Sequence, residues 1–377
     1  MFIEKINFSN FRNLKENTIN PNQEINVIYG NNAQGKTNFL ESIWLFTGGH
    51  SFRGNKDIEL TALENGVNSG FCKLSTFFYS QKRMQTAEII IQNKKKTSVI
   101  NGINKNSGSA LVGKICAVVF SPEHLSLIKD GPAIRRNFID AAICQIKPSY
   151  LTILKRYNRV LMQRNKFLKD LNMSQSDALM LPVWDQKCCE LGFEIAKKRY
   201  KYIKQLKEIA SIFYNGISGE KENIDIKYKP LGIDFKENYN DFKAKYLLQM
   251  QKATPTDIKM GSTSVGVHRD DIDILINNIK ARTFASQGQQ RSIVIAMKLS
   301  EAKILEDYIG EPPIILLDDV MSELDNNRQD YILNKLIGRQ IFISLCNPET
   351  VDLLKKGKRF KVVNGEIFEI DANEEKN

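Results

Sequence analysis

Short apolar runs alternate with polar breaks over the first third of this chain. Phe2–Phe8, Ile25–Tyr29, Phe71–Tyr79, Ala87–Ile91 and Ile115–Phe120 each have the length and composition of a β-strand. Between them, Asn38–Phe46 predicts one helix, and the Lys- and Gly-rich stretch Asn93–Asn106 predicts a hairpin region. The period then changes. Trp184, Cys188, Leu191, Ile195, Tyr202, Leu206, Ile209 and Phe213 recur at steps of three and four, with Arg199 interrupting, which marks a long helix with one apolar stripe. An earlier stripe, Tyr150, Leu154, Tyr157 and Leu161, pairs with it, and the polar stretch 170–183 with Pro182 turns between them. At about 1.5 Å per residue this helical hairpin is a few tens of ångströms long. From residue 256 to 377 the pattern returns to α/β and ends in a polar tail after Ile370. The division predicted is therefore 1–120 with 256–377 as a discontinuous α/β unit, and 121–255 as an inserted, mainly helical arm.

Chemistry enters at two places far apart. The strand Ile25–Tyr29 runs into Gly30-Asn31-Asn32-Ala33-Gln34-Gly35-Lys36-Thr37, ahead of the helix. Glycines 30 and 35 let the backbone curl so that its N–H groups and the helix N-terminus face a polyphosphate. Lys36 then reaches the β- and γ-phosphates, and the Thr37 hydroxyl holds Mg²⁺. Far downstream, Ile314–Leu317 is four apolar residues leading into Asp318 and Asp319, a buried parallel strand whose tip presents a carboxylate to the metal. Asp319 follows where a base could orient or deprotonate an attacking water. Ala285–Arg291 precedes this strand and Ser322-Glu323-Leu324-Asp325 follows it. ATP and Mg²⁺ are the cofactors these motifs predict.

The segment Ser286-Gln287-Gly288-Gln289-Gln290-Arg291 and the Ser322–Asp325 loop resemble those of the ABC-type, SMC-like ATPases of chromosome maintenance. More narrowly the chain resembles the RecF family of bacterial recombination mediators, in order from residue 1 to about 345. Asn10–Leu14, the block Ser121–Asp140 containing Arg135 and Arg136, Gly266–Asp271 and Leu316–Asp325 carry the likeness. It implies an ABC-type (P-loop) ATPase head with mixed β-sheets and an inserted α-helical arm. It implies that Arg12 and Asn13 approach the nucleotide, though as residues alone they fit a surface turn equally well. It further implies that Ser286, Gly288 and Gln289 of a second copy contact the γ-phosphate in trans, so that ATP joins two chains, and that Asp325 belongs to the nucleotide site. Duplex DNA near single-strand gaps, other mediator proteins and a recombinase are the partners implied. Asp319 is shorter than the glutamate common at its position, which suits slow hydrolysis and a timed switch.

Departures are specific. Ala33 stands where many relatives have glycine. Ile341–Asn347 replaces a Thr- or His-containing switch, leaving the γ-phosphate sensor on that side unassigned, and only Glu123 or His124 is placed to stand for a glutamine loop. Arg53, after Gly48-Gly49-His50-Ser51-Phe52, has no derivable role.

Charge narrows the partner class. Lys plus Arg is 54 against 43 acidic residues, a net +11, which favours an anionic partner. Between Lys147 and Lys207 there are 14 basic and 5 acidic residues, so Lys197, Lys198, Arg199 and Lys201 are DNA-contact candidates, alongside a solvated helical face as the plain alternative. Arg135 and Arg136 could meet DNA, meet the nucleotide, or pair with Asp140. His268-Arg269-Asp270-Asp271 reads as a salt-bridged turn. The six cysteines show no Cys-x-x-Cys spacing and no apolar run reaches membrane-span length. A cytoplasmic, nucleoid-associated protein with reduced thiols and no membrane partner is the expectation. A transporter ATPase subunit would share both nucleotide motifs, but the basic arm, Asp319 and the split motifs speak against it. A nuclease-linked ATPase would need a further acidic cluster.

Overall fold

The computed structural model describes every residue except 55, 65–66, 174–179, 220, 231–237, 347–356 and 371–377. Asn347, the middle of the 170–183 turn and the tail after Ile370 thus lie outside the described residues. Contacts divide the chain into two compact units, Met1–His124 with Met297–Asn377, and Leu125–Ala296.

The first unit is built on two sheets. One is antiparallel, in the order Asn17–Ile19, Phe2–Ser9, Phe71–Ser80, Arg83–Gln92, Lys95–Ile100, Ile103–Lys105. Its hairpins turn through residues that tolerate a left-handed backbone, such as Asn101 and Gly102 at φ 49° and 78°. The other sheet runs Ala117–Phe120, Ile314–Asp318, Ile341–Leu345, Ile25–Tyr29, Lys358–Val363, Glu366–Ile370, parallel except for the last pair. Ile25–Tyr29 is flanked on both sides by strands from the last tenth of the chain. That placement is why a loop near residue 30 and an acidic strand near residue 318 can form one site.

Helix Lys36–Leu45 buries Phe39, Leu40 and Ile43 completely, in one core with Ile6, Phe8, Leu74 and Phe78 of the antiparallel sheet and Ile28, Phe342 and Phe360 of the parallel one. Each such side chain contributes about 1.5–3 kcal/mol on burial. Gln340 joins the layers, its amide accepting from Ile3 N at 2.7 Å and donating to Ile3 O and Asn22 O at 2.8 Å each.

The second unit holds helices Pro132–Ile146, Pro148–Met173, Leu181–Ser218 and Tyr239–Met260. The 38-residue helix is about 57 Å long at 1.5 Å per residue. Cys188, Ile195, Tyr202 and Leu206 of the predicted stripe are buried along it. The arm is not purely helical: Ile224–Lys229, Asp271–Ile276 and Ile279–Lys280 form an antiparallel sheet. Residues 256–296, expected with the ATPase head, group with the arm instead. The reason is a strand pairing and buried ions: Asp271–Ile276 completes the arm's sheet, and Asp257 is held by Arg164 at 2.9 Å.

Candidate nucleotide site

The phosphate loop is shaped by three positive-φ positions, Gly30 at 148°, Ala33 at 65° and Gly35 at 122°. A Cβ on Gly30 would lie 2.4 Å from the carbonyl oxygen of Val362, and one on Gly35 would meet Asn13 and Leu14 at 2.9 Å. Both glycines are therefore dictated by space as well as dihedral. Ala33 keeps its left-handed backbone at a modest cost, of order 1–2 kcal/mol.

The loop is clamped by the last hairpin and by Asn13. Gly365 N donates to Gln34 O at 3.0 Å, and Asn364 N donates to the Gln34 side chain. Asn13 donates to Gln34 O at 3.1 Å and accepts from Asn38 at 2.7 Å. Lys36 Nζ, at the N-terminus of the helix, donates to the carbonyls of Gly30 and Asn31 at 2.7 and 3.0 Å and lies 3.4 Å from Cys346 Sγ.

The acidic strand reaches this loop. Thr37 Oγ1 donates to Asp318 Oδ1 at 3.0 Å, and Ser344 Oγ donates to the same oxygen at 2.8 Å. Burial pushes the Asp318 carboxyl above its ordinary range; the two hydroxyls act against that rise, Asp319 adds to it, and Arg53 opposes it. Asp319 turns sharply, at φ 51°. Its N–H donates to Ser344 Oγ at 2.9 Å, and its carboxylate accepts from Ser322 Oγ at 3.1 Å and faces Cys346 Sγ at 3.6 Å. Cys346 also donates to Asn32 Oδ1 at 2.9 Å.

A hydroxyl and a carboxylate oxygen at hydrogen-bond distance, beside the phosphate loop, make a hard-oxygen donor pair of the kind Mg²⁺ takes with a polyphosphate. Thr37 and Asp318 would hold the ion, which would supply Lewis-acid charge to a bound polyphosphate. No cluster of three or more His, Cys, Asp or Glu is placed to hold a metal among the described residues.

A family model described as the RecF/RecN/SMC N-terminal domain matches residues 2–365. The DNA replication and repair protein RecF of Acetivibrio thermocellus is 38% identical over 351 residues, covering 93% of this chain and 94% of its own. This chain belongs to the RecF family. A solved RecF with the ATP analogue ATPγS, a recombination mediator protein of the RecFOR pathway, superposes with a TM-score of 0.91 at 37% identity, covering 98% of each chain. The Smc head domain of Pyrococcus furiosus, at TM-score 0.55 and 15% identity over 98% of this chain and 96% of that one, shares the ABC-type head fold alone.

Several residues expected at the nucleotide site have partners of their own within the chain. Arg12 forks onto the fully buried Glu41, Nε to Oε2 at 2.8 Å and NH2 to Oε1 at 3.0 Å. Its neighbour Asn13 bonds the loop at Gln34 O. Glu41 gave no sequence signal beyond being a lone carboxylate on an apolar helix. Asp325 caps helix Asn326–Lys335, accepting from Arg328 N at 3.0 Å, and that bond holds its carboxyl below the usual range. Arg53, for which the sequence offered no role, donates to Asn38 Oδ1 at 3.1 Å and carries positive charge toward Asp318.

In the second unit, Ser286 stands immediately before helix Gln287–Ile309. Ser286 and Gln289 cap each other reciprocally, Ser286 N to Gln289 Oε1 at 2.7 Å and Gln289 N to Ser286 Oγ at 3.2 Å. Ser286 is exposed, so this helix start is presented to solvent.

Two DNA-contact candidates are corrected. Arg135 is buried and paired with Asp271 at 2.7 and 2.9 Å, and it also donates to Leu127 O and Asp130 O. Arg199 is buried between Asp140, Val267 O and Asp270. A guanidinium so committed cannot turn to a DNA phosphate. Arg136 is half-buried and donates to Asp270 O at 2.7 Å, while Lys197, Lys198 and Lys201 reach the surface.

Proposed function

We propose that this chain is an ATP-dependent DNA-binding protein of recombinational repair and replication restart. ATP joins two copies, each presenting its Ser286–Gln289 helix start to the nucleotide of the other. The dimer clamps duplex DNA near single-strand gaps and assists recombinase loading with other mediator proteins. Slow hydrolysis at Asp318 and Asp319 releases it. A cytoplasmic, nucleoid-associated location belongs to the same role.

The observation that supports this best is the contact of Thr37 with Asp318, 281 positions apart. It brings a hydroxyl from the phosphate loop and a carboxylate from the acidic strand to one point, as Mg²⁺–ATP requires. Lys36 steadies the loop and aligns with the phosphates, and Asp319 faces the loop mouth to orient water. DNA contact falls to Lys197, Lys198 and Lys201, which meet phosphates and carry no sequence preference.

The test is equilibrium binding of ATP, and of duplex, gapped and single-stranded DNA with and without ATP, at two salt concentrations. The wild type binds ATP, Lys36→Met does not, and ATP tightens DNA binding in the wild type alone. Charge reversal at Lys197, Lys198 and Lys201 weakens binding to every sequence and flattens the salt slope. Lys36→Met binding ATP as the wild type does would sink the loop assignment.

A further inference from the structure

The strand Ile341–Leu345 ends beside both acidic residues of the site, and one of its side chains bonds the carboxylate of Asp318 and the backbone N–H of Asp319. Ser344 is buried, paired in register with Asp318 on one side and Ile28 on the other. Its hydroxyl accepts from Asp319 N at 2.9 Å and donates to Asp318 Oδ1 at 2.8 Å. A hydroxyl has one proton. Because Asp319 N–H occupies a lone pair, that proton is directed to Asp318, and the polarity of the pair of bonds is set.

Each bond constrains a different residue. Asp318 Oδ1 accepts from both Thr37 and Ser344, which fixes the carboxylate's rotation at the loop. Asp319 adopts φ 51°, a backbone that costs of order 1–2 kcal/mol for a residue with a side chain. The Ser344 bond holds it there. In that turn its carboxylate points to Cys346, which bonds Asn32 of the phosphate loop. We propose that Ser344 is a positioning residue for ATP hydrolysis, aiming Asp318 at the metal position and locking Asp319 in the turn that faces its carboxylate to the phosphate loop. The proposal rests on the nucleotide-site function above. It separates affinity from chemistry, because Ser344 touches neither the loop backbone nor Lys36.

The test compares Ser344→Ala and Ser344→Thr with the wild type in equilibrium ATP binding and in single-turnover hydrolysis. Ser344→Ala should bind ATP within about threefold of wild type and hydrolyse it about 100-fold more slowly, the cost of an ångström-scale misplacement. Ser344→Thr, which keeps the hydroxyl, should recover most of the rate. Should Ser344→Ala fail to fold, Ser344→Cys makes the same comparison with a weak donor. Hydrolysis by Ser344→Ala at the wild-type rate overturns the proposal, as does a loss of ATP affinity in parallel with the rate. A wild type that binds no ATP instead overturns the function on which the proposal rests.

Discussion

The guanidinium of Arg199 meets both carboxylate oxygens of Asp140, at 2.9 and 2.8 Å. Both lie inside the second unit, where Tyr150 also donates to Asp140 at 2.7 Å and Tyr228 bonds Asp270. Removing one partner leaves the other charge buried and unmatched. Arg199→Ala should therefore cost about 3–5 kcal/mol, read as a lower urea midpoint of the arm. Lys201→Ala, on the exposed face of the same helix, should cost less than about 0.5 kcal/mol. Equal midpoints for the two variants would return Arg199 to the pool of surface cations.

The proposed self-association should separate from ATP binding at Ser286. Ser286→Arg replaces a small exposed cap with a bulky cation while leaving residues 30–37 untouched. ATP affinity should stay within about twofold of wild type, while light scattering should show no ATP-dependent dimer and hydrolysis should fall. Dimerisation of this variant at wild-type ATP and protein concentrations would rule out completion of the site by a second copy.

Thiol chemistry offers a probe of the loop. Of the six cysteines, five are buried and Cys346 is half-exposed. Burial pushes the thiols of Cys72, Cys116, Cys144, Cys188 and Cys189 up to about 12, so they stay protonated and slow to react. Native protein should show one fast thiol, lost in Cys346→Ser. Mg²⁺–ATP should slow its labelling, since Cys346 lies between Asn32 and Lys36. Equal labelling with and without nucleotide would place the γ-phosphate elsewhere.

Acid should weaken the arm through His268. Burial lowers its pKa from 6.5 to about 4. The neutral ring fits its partners: Nε2–H donates to Thr263 O at 3.0 Å, and Nδ1 accepts from Tyr157 OH at 2.8 Å. With the folded pKa depressed, the unfolded chain takes up the proton first. Its contribution is thus complete above about 6.5 and is lost as pH falls toward 4, up to about 3 kcal/mol. Urea titrations at pH 7 and 5 should show the loss, and His268→Gln should flatten it. A wild-type midpoint independent of pH over that range would contradict the buried neutral ring.

What the sequence made legible were features whose physics is local. Gly30, Gly35 and Lys36 follow a run of apolar residues whose strand identity needs no tertiary knowledge, and Asp318 ends another such run. What it hid were partnerships. Arg199 interrupts an apolar stripe and is as basic as Lys201, yet one is inside and the other outside. Composition cannot distinguish them, because the difference lies in Asp140 and Asp270, 59 and 71 positions away. Ser344 and Glu41 were invisible for the same reason. Each is a polar residue in an apolar element, and only its distant partner gives it a role. The unit boundary moved because Asp271–Ile276 pairs with Ile224–Lys229 across an intervening helix.

The hairpin that clamps the phosphate loop also sets a schedule for the newborn chain. A Cβ at Gly365 would sit 1.8 Å from the carbonyl oxygen of Asn13, so the two segments close on each other without slack. Gln34 receives its partners from Asn364 and Gly365, 330 or so residues behind it on the ribosome. At about 5–20 residues per second, the loop waits on the order of tens of seconds for them. A motif made within the first tenth of the chain is thus among the last to receive all its supporting bonds.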